Sequence, residues 1–270
     1  MREFKLRTSQ RPRPLPTGRW FVSQRWNDLL FAHWRVPAAA IAPFLPEGLQ
    51  PDTFQGSAWV GTVPLWMDRF SFRGVPSVPG AGSFPELHFR TYVHDQQTNT
   101  PGVYNLSVDI GNLLATAYVR FIFRQPCNWA EMRLTPRTER EFSFYSRRRS
   151  LSHAVVFNVR YRGLGPTRRL AEIRSGSLEY FFTERYCLFT KNHSGQAMRA
   201  NIHAVASPLE DAEAEIQRND LGAALGIQIP EQEPVLHYSR RLALYIWPAE
   251  LAQPLRSRRQ RIPAQAMPSA

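Results

Sequence analysis

Lysine is nearly absent from this chain: Lys5 and Lys191 are its only two, and the other basic residues are arginines. That scarcity excludes most amine chemistry. A Schiff-base nucleophile needs a primary amine whose lone pair can be freed, and a guanidinium stays protonated at any working pH. Lys5 falls in a Pro- and Arg-rich stretch and Lys191 in an Asn-His-Ser-Gly turn, so neither is placed for such a role. Cysteine is scarce too. Cys127 and Cys187 lie far apart, which rules out a disulfide framework or a zinc-ligand pair and leaves reduced thiols as the expectation. No run of about 18 apolar residues occurs, so a membrane-spanning helix is excluded. The start, MREFKLRTSQRPRPLPTGRW, lacks an apolar stretch followed by a small-residue cleavage site. A cytoplasmic location is the expectation. No repeat marks a solenoid or propeller, and no motif calls for a metal or an organic cofactor.

What is present suits one domain. A chain of 270 residues that is 43% hydrophobic can bury a full core. Residues 1–19 read as a flexible basic arm, 20–253 as a single domain, and 254–270 as a disordered basic tail. The net charge of +12 would suit a polyanion, but the arginine clusters at Arg147 to Arg149, Arg168-Arg169, Arg240-Arg241 and Arg256 to Arg261 are scattered. No recognition helix or stacked aromatic motif accompanies them, so nucleic acid is disfavoured as a partner and a solvated arginine surface is the simpler account. A homo-oligomer is compatible with this composition.

The stretch from Phe84 to Ala130 organises the chain. FPELHFRTYV alternates strictly, with Glu86, His88, Arg90 and Tyr92 at one parity and Leu87, Phe89, Thr91 and Val93 at the other. This is the period of a strand with two unlike faces. Taken alone it reads as a half-exposed strand whose charges meet solvent; in a barrel lumen, Glu86 would instead approach Asn105 or Ser107 across the next strand. IGNLLATAYVRF follows as a helix with Asp109 as its expected cap. Arg120 interrupts that helix's apolar surface, so it is expected to turn inward and pair with Glu86. A Pro126-Cys127-Asn128 corner closes the unit. Cys127 is read as a small buried hydrophobe in preference to a nucleophile, because no dedicated histidine base accompanies it. His88 and His94 lack a spaced metal-binding partner.

The rest of the chain is strand-rich. LLFAHWRV is strand-like, and Pro37 opens a short helix that Pro43 and Pro46 end. GSAWVGTVPLWMDRF is a long strand whose Gly61 and Pro64 suggest a bulge or an edge position. AEMRLTPR, EFSFYSRRR and HAVVFNVRYRG form an antiparallel meander. SGSLEYFFT begins as a helix capped by Ser175 or Ser177 and becomes a strand near Tyr186. MRANIHAVA and HYSRRLALYIWP are further strands. Ser207-Pro208-Leu209-Glu210 presents a capping box, so LEDAEAEIQRND is expected to be an exposed acidic helix. Many short strands without regular strand-helix alternation predict a closed antiparallel sheet.

LLFAHW, PFLPEGL, FPELHFRTYV, the GVY-to-VRF segment, GSLEYFFTERYCLF and YSRR together resemble the YqjF-like family of uncharacterised proteins, the domain of unknown function 2071. That family is similar to the acetoacetate decarboxylase superfamily. The resemblance implies a mainly β (α+β) fold: a cone-shaped antiparallel β-barrel with a few helices outside and a small-molecule pocket within. In the decarboxylases a strand glutamate, a helix arginine and a Pro-Lys-Lys corner frame the Schiff-base lysine. Glu86, Arg120 and Pro126 match the first three features, while Cys127 and Asn128 stand where the two lysines would be; Arg25 is the nearest candidate for a further substrate-side arginine. The resemblance therefore implies a pocket without Schiff-base decarboxylation. Glu86 is its expected acid or base and Arg120 its electrostatic stabiliser, with Arg90, Tyr92, Asn105, Cys127 and Asn128 as substrate contacts. The expected ligand class is a carboxylate or oxo-acid, bound by an enzyme or by a non-catalytic sensor. Thr183-Glu184-Arg185-Tyr186 is expected to close the barrel through an internal ion pair.

Overall fold

A computed structural model describes residues 14–75, 82–149, 153–166, 173–206 and 209–252. Most of the expected arm, the whole basic tail from residue 254, Arg168-Arg169 and Ser207-Pro208 lie outside the described residues. In chain order the strands are β1 (Val22–Val36), β2 (Leu49–Pro51), β3 (Ala58–Phe72), β4 (Phe84–Asp95), β5 (Thr100–Ile110), β6 (Cys127–Trp129), β7 (Glu131–Pro136), β8 (Glu141–Arg149), β9 (Ala154–Gly163), β10 (Cys187–Lys191), β11 (Ala197–Ala206), β12 (Leu209–Asn219), β13 (Val235–Ile246) and β14 (Glu250–Leu251). The helices are α1 (Ala38–Ile41), α2 (Leu113–Ile122) and α3 (Leu178–Thr183).

Seven of these strands close on themselves. β1, β3, β4, β5, β10 and β11 are hydrogen-bonded in turn, and β13 joins β11 back to β1. All the contacts around this ring are antiparallel except β5 with β10, which run parallel. Gly102 permits that approach, since a Cβ there would stand 2.6 Å from the Cys187 carbonyl oxygen. The fold is thus mainly β with a closed ring, as its strand pattern foretold, and cone-like, as the resemblance implied. β12 leaves β13 and pairs with β9, extending a second sheet of β12, β9, β8 and β7 over the outside of the ring.

That outer sheet changes the meaning of the alternation in β4. Leu87, Phe89 and Val93 share one buried cluster with Phe142, Phe144, Phe157 and Tyr161 of the outer sheet. Each such side chain contributes about 1.5–3 kcal/mol on burial. The opposite face of β4 is buried as well, so the half-exposed reading gives way to a strand enclosed on both sides.

Three local expectations are corrected. β3 lies inside the ring between β1 and β4, not at an edge. The missing amide of Pro64 is accommodated because the β1–β3 register breaks between Asn27 and Ala32, where a bulge was foreseen. Residues 209–219 form β12 and not a helix. Ala212, Ala214 and Ile216 face the core while Glu213 faces outward to Arg162 at 2.6 Å, a period of two that pairing with β9 imposes over local helix propensity. Finally, α2 is capped by Asn112, whose Oδ1 accepts from the Ala115 amide at 2.9 Å; Asp109 belongs to β5. Ser177 caps α3 as expected, accepting from the Tyr180 amide at 3.2 Å.

Candidate functional site

The ring encloses a cavity of about 150 Å³. β1, β4, β5, β10, β11 and β13 all contribute to its wall, and Val119, Phe123 and Phe182 close it from the helices and their ends. Most of the wall is apolar, with Trp26, Phe31, Val108, Leu244 and Ile246 among its members. Its polar lining comprises Glu86, His88 and Arg90 from β4, Asn105 from β5, Gln125 beyond α2, Gln24 from β1, Ser239 from β13, and Thr183, Arg185 and Tyr186 at and after the end of α3. Strand alternation explains the β4 triplet. On β5 the pairing skips Leu106, since Phe89 faces Ser107 while Arg90 faces Asn105, and this bulge lets both Asn105 and Val108 face inward. Glu86 consequently lies opposite Ile110, neither Asn105 nor Ser107.

The charges inside are unequally compensated. Glu86, 3% exposed, is 2.9 Å from His88 Nε2, and the His88 ring stands edge-on to Trp26 at 5.0 Å. Arg185 is buried and satisfied: it pairs with Asp52, and its Nε donates to the Phe181 carbonyl at 2.6 Å. This is the internal ion pair expected of the segment 183–186. Arg90 differs. Its guanidinium lies 5.5 Å from the Phe31 ring centre, and Nη2 donates weakly to the Tyr92 hydroxyl at 3.5 Å. Its buried Nε has no partner, and among the described residues no carboxylate forms an ion pair with it.

Behind Arg90 a buried relay fixes Tyr92. The Tyr92 hydroxyl lies 2.6 Å from His33 Nε2, and the His33 ring stacks on Phe182 at 3.9 Å. Burial pushes the His33 pKa well below its ordinary value, reinforced by the nearby Arg90 charge and His237. His33 is therefore neutral, and a Tyr92 hydroxyl that donates to its Nε2 remains free to accept from Arg90. Gly61 makes room for this ring, because a Cβ there would stand 2.6 Å from the imidazole.

The expected site residues separate into two groups. Glu86, Arg90 and Asn105 line the cavity, whereas Tyr92 stands behind the wall with 0% exposure. Arg120 does not turn inward: it is exposed on α2, and its Nε and Nη2 both donate to the Cys127 carbonyl. Among the described residues no ion pair joins it to Glu86. The apolar stripe of α2 explains the reversal, since Leu113, Leu114 and Phe121 are themselves 66–75% exposed and a residue among them faces out. Cys127 is 1% exposed in an apolar cluster with Val63 and Val108, and burial first, then the Glu86 charge, pushes its thiol far up. Asn128 donates to Asp109 at 3.4 Å, away from the cavity wall. Arg25 is tied to Asp68 and does not line the cavity. The expectation missed His88 and Gln125. His88 shares its parity with Glu86 and Arg90, which was a usable signal; Gln125 carries none. Among the described residues no group of three or more His, Cys, Asp or Glu could hold a metal ion, and no helix is long and apolar enough to cross a membrane.

Comparison with known proteins accords with this architecture. Residues 23–243 match the model of the DUF2071 family, described as an uncharacterized conserved protein. The uncharacterized protein YqjF of Bacillus subtilis is 35% identical over 242 residues, spanning 90% of this chain and 97% of that protein. Among solved structures, the enduracididine biosynthesis enzyme MppR complexed with pyruvate superposes with a TM-score of 0.60 at 13% identity, covering 88% of this chain and 91% of that one. Acetoacetate decarboxylase from Legionella pneumophila gives a TM-score of 0.57 at 12% identity, with 90% and 91% covered. At such identities the two structures establish the fold alone. The family match and the YqjF relative carry the rest: this chain belongs to the DUF2071 family and has an acetoacetate decarboxylase-like fold.

Proposed function

We propose that this chain binds a small organic carboxylate, of the oxo-acid class, inside the ring and transfers a proton next to its carbonyl. The observation that carries this reading is Arg90, a buried guanidinium facing an apolar cavity with its Nε unpartnered. Leaving a buried charge unpaired is costly, and a bound carboxylate would supply the missing partner through paired N–H donors. The Glu86–His88 pair lies on the same strand face, so a carbonyl compound anchored by Arg90 would present its neighbouring carbon to a carboxylate base with a histidine beside it. Arg90 thereby takes the electrostatic role that the resemblance assigned to Arg120. Asn105 would offer an amide to the carbonyl oxygen. Among the described residues no lysine lines the cavity, so the proposed reaction is proton abstraction and return without a Schiff base. MppR, a structural neighbour, is described in complex with pyruvate, which supports the ligand class.

The test uses pyruvate and longer 2-oxo-acids in D2O. Saturable binding by calorimetry is expected, together with deuterium uptake beside the carbonyl that is seen by NMR. Arg90→Met should weaken binding by about 100-fold; Glu86→Gln should retain binding and lose exchange. Saturable binding with no exchange in the unaltered protein would favour a sensor module. Absence of binding to any 2-oxo-acid would overturn the reading.

A further inference from the structure

A second feature lies just outside the cavity, on the far side of one hydrogen bond. Asn105 Nδ2 donates to Gln125 Oε1 at 2.9 Å, and both residues line the inner cavity as well as an outer cleft of about 280 Å³. The lining of the outer cleft includes Arg120, Arg124, Lys191 and His193 and, among the described residues, no aspartate or glutamate. Among the described residues none of these four side chains has a carboxylate in ion-pair contact. Arg120 spends two of its donors on the Cys127 carbonyl, which fixes its guanidinium while leaving Nη1 available. Arg124 has a φ of 53°, a left-handed backbone that arginine adopts with strain, and its carbonyl is held by the Thr190 hydroxyl at 2.7 Å. Cationic groups from α2, the following loop and the end of β10 thus converge without mutual neutralisation. Like charges brought together this way are stabilised by an anion of higher charge than a carboxylate.

We propose that the outer cleft is a phosphate-binding site, and that it receives the phosphate end of an organic acid whose carboxylate reaches Arg90. The phosphate site stands on its own residues; the bipartite ligand rests additionally on the inner-cavity reading. A phosphate presents three acceptor oxygens, which matches a cleft that offers guanidinium and ammonium donors from separate elements. The Asn105–Gln125 amide pair is the partition between the two compartments, and both amides can turn to a ligand chain passing between them.

Two sets of probes separate the claims. Inorganic phosphate, titrated into the full-length chain by calorimetry at low ionic strength, should bind saturably. Arg124→Gln with Lys191→Gln should weaken it by about tenfold or more, while Arg90→Met should leave it unchanged. Both outer residues are exposed, so folding should be retained; should the double variant fail to fold, Lys191→Gln alone carries the same expectation in smaller degree. Phosphate binding that is absent, or indifferent to Arg124 and Lys191, overturns the site. Phosphonoalkanoic acids of increasing chain length then address its source. An affinity maximum at one chain length, abolished both by Arg90→Met and by the outer double variant, supports a single bipartite ligand. A flat length dependence with phosphate binding intact overturns the bipartite claim and identifies free phosphate as the ligand.

Discussion

Two clusters of buried charge sit on the hairpin of β4 and β5, and they differ in whether the fold neutralises them. Asp109, 1% exposed, meets Arg148 of β8 at 3.1 Å and accepts from Asn128 of β6, so that cluster ties the ring to the outer sheet. Arg90, 8% exposed on the neighbouring strand, has a weak bond to Tyr92, aromatic faces, and no carboxylate among the described residues. The first cluster closes because its cation arrives from another layer. The second stays open because its side of β4 faces the cavity, where, among the described residues, no further strand brings an acid. Both are costly to bury, but only the closed cluster repays that cost within the chain. An open one is retained where a ligand completes it.

Removing the cation from the closed cluster should have the largest effect. Arg148→Met leaves the Asp109 carboxylate among neighbours whose burial already raises its pKa against the pull of Arg148 and Asn128. A loss of about 3 kcal/mol in urea unfolding at pH 7 is expected. With the guanidinium gone, Asp109 titrates higher still in the folded state than in the unfolded one. The folded state then binds more protons, so the variant should recover stability as the pH falls from about 7 towards 5. Equal deficits at both pH values would show that Arg148 contributes by packing alone.

The same substitution in the open cluster should behave in the opposite way. Arg90→Met removes an uncompensated charge from an apolar wall, so stability should hold or rise. Oxo-acid affinity should fall by about 100-fold, equivalent to about 3 kcal/mol, because the buried donor for the carboxylate is gone. A variant that loses stability as Arg148→Met does would erase the distinction between the two clusters.

How much of this was legible follows from which interactions are local. The parity of Glu86, His88 and Arg90 is a property of a single strand, and it placed all three on one face before any partner was known. The apolar parity of Leu87, Phe89 and Val93, covered by Phe142, Phe144 and Phe157, was legible as a face; that the charged face is enclosed too depends on closure of the ring by strands distant in sequence, and so could not be read. Arg120 failed for a related reason. Helical periodicity identifies a stripe but not its direction, and Leu113, Leu114 and Phe121 show that this stripe faces out. An ion pair in the segment of Arg185 was an expectation of the resemblance, whereas its partner Asp52, 133 residues away, could not be foreseen. For residues 209–220 the capping-box pattern from Ser207 to Glu210 favoured a helix, yet the alternation of Glu213 and Glu215 with Ala212, Ala214 and Ile216 was a strand signal in plain view.

A smaller effect should separate the relay behind Arg90 from the charge itself. His33 is neutral because burial and Arg90 depress its pKa well below the usual 6.5. Its folded pKa lies under its unfolded one, so its contribution is complete above pH 6.5 and is lost progressively as the pH falls below that value. The slope attributable to one such group is at most about 1.4 kcal/mol per pH unit. Thermal unfolding from about pH 7.5 to 5 should show this decline in the unaltered protein and a shallower one in His33→Gln. Arg90→Met should also flatten it, since the cation's share of the depression disappears; an unchanged slope in Arg90→Met would mean that desolvation alone keeps His33 neutral.

The smallest change is expected at Cys127, which stands near both clusters and belongs to neither. Glu86 and Asp109 each press its thiol towards the protonated form, and only the Arg120 charge opposes them. A thiol that is 1% exposed and held protonated is a poor nucleophile, so iodoacetamide should leave it unmodified until the chain unfolds. Cys127→Ala should cost about 1 kcal/mol through lost packing against Val63 and Val108 and leave oxo-acid affinity unaltered. Rapid alkylation of Cys127 in the folded protein, suppressed by an oxo-acid, would place the thiol beside the ligand and move the reactive centre from Glu86 to the corner after α2.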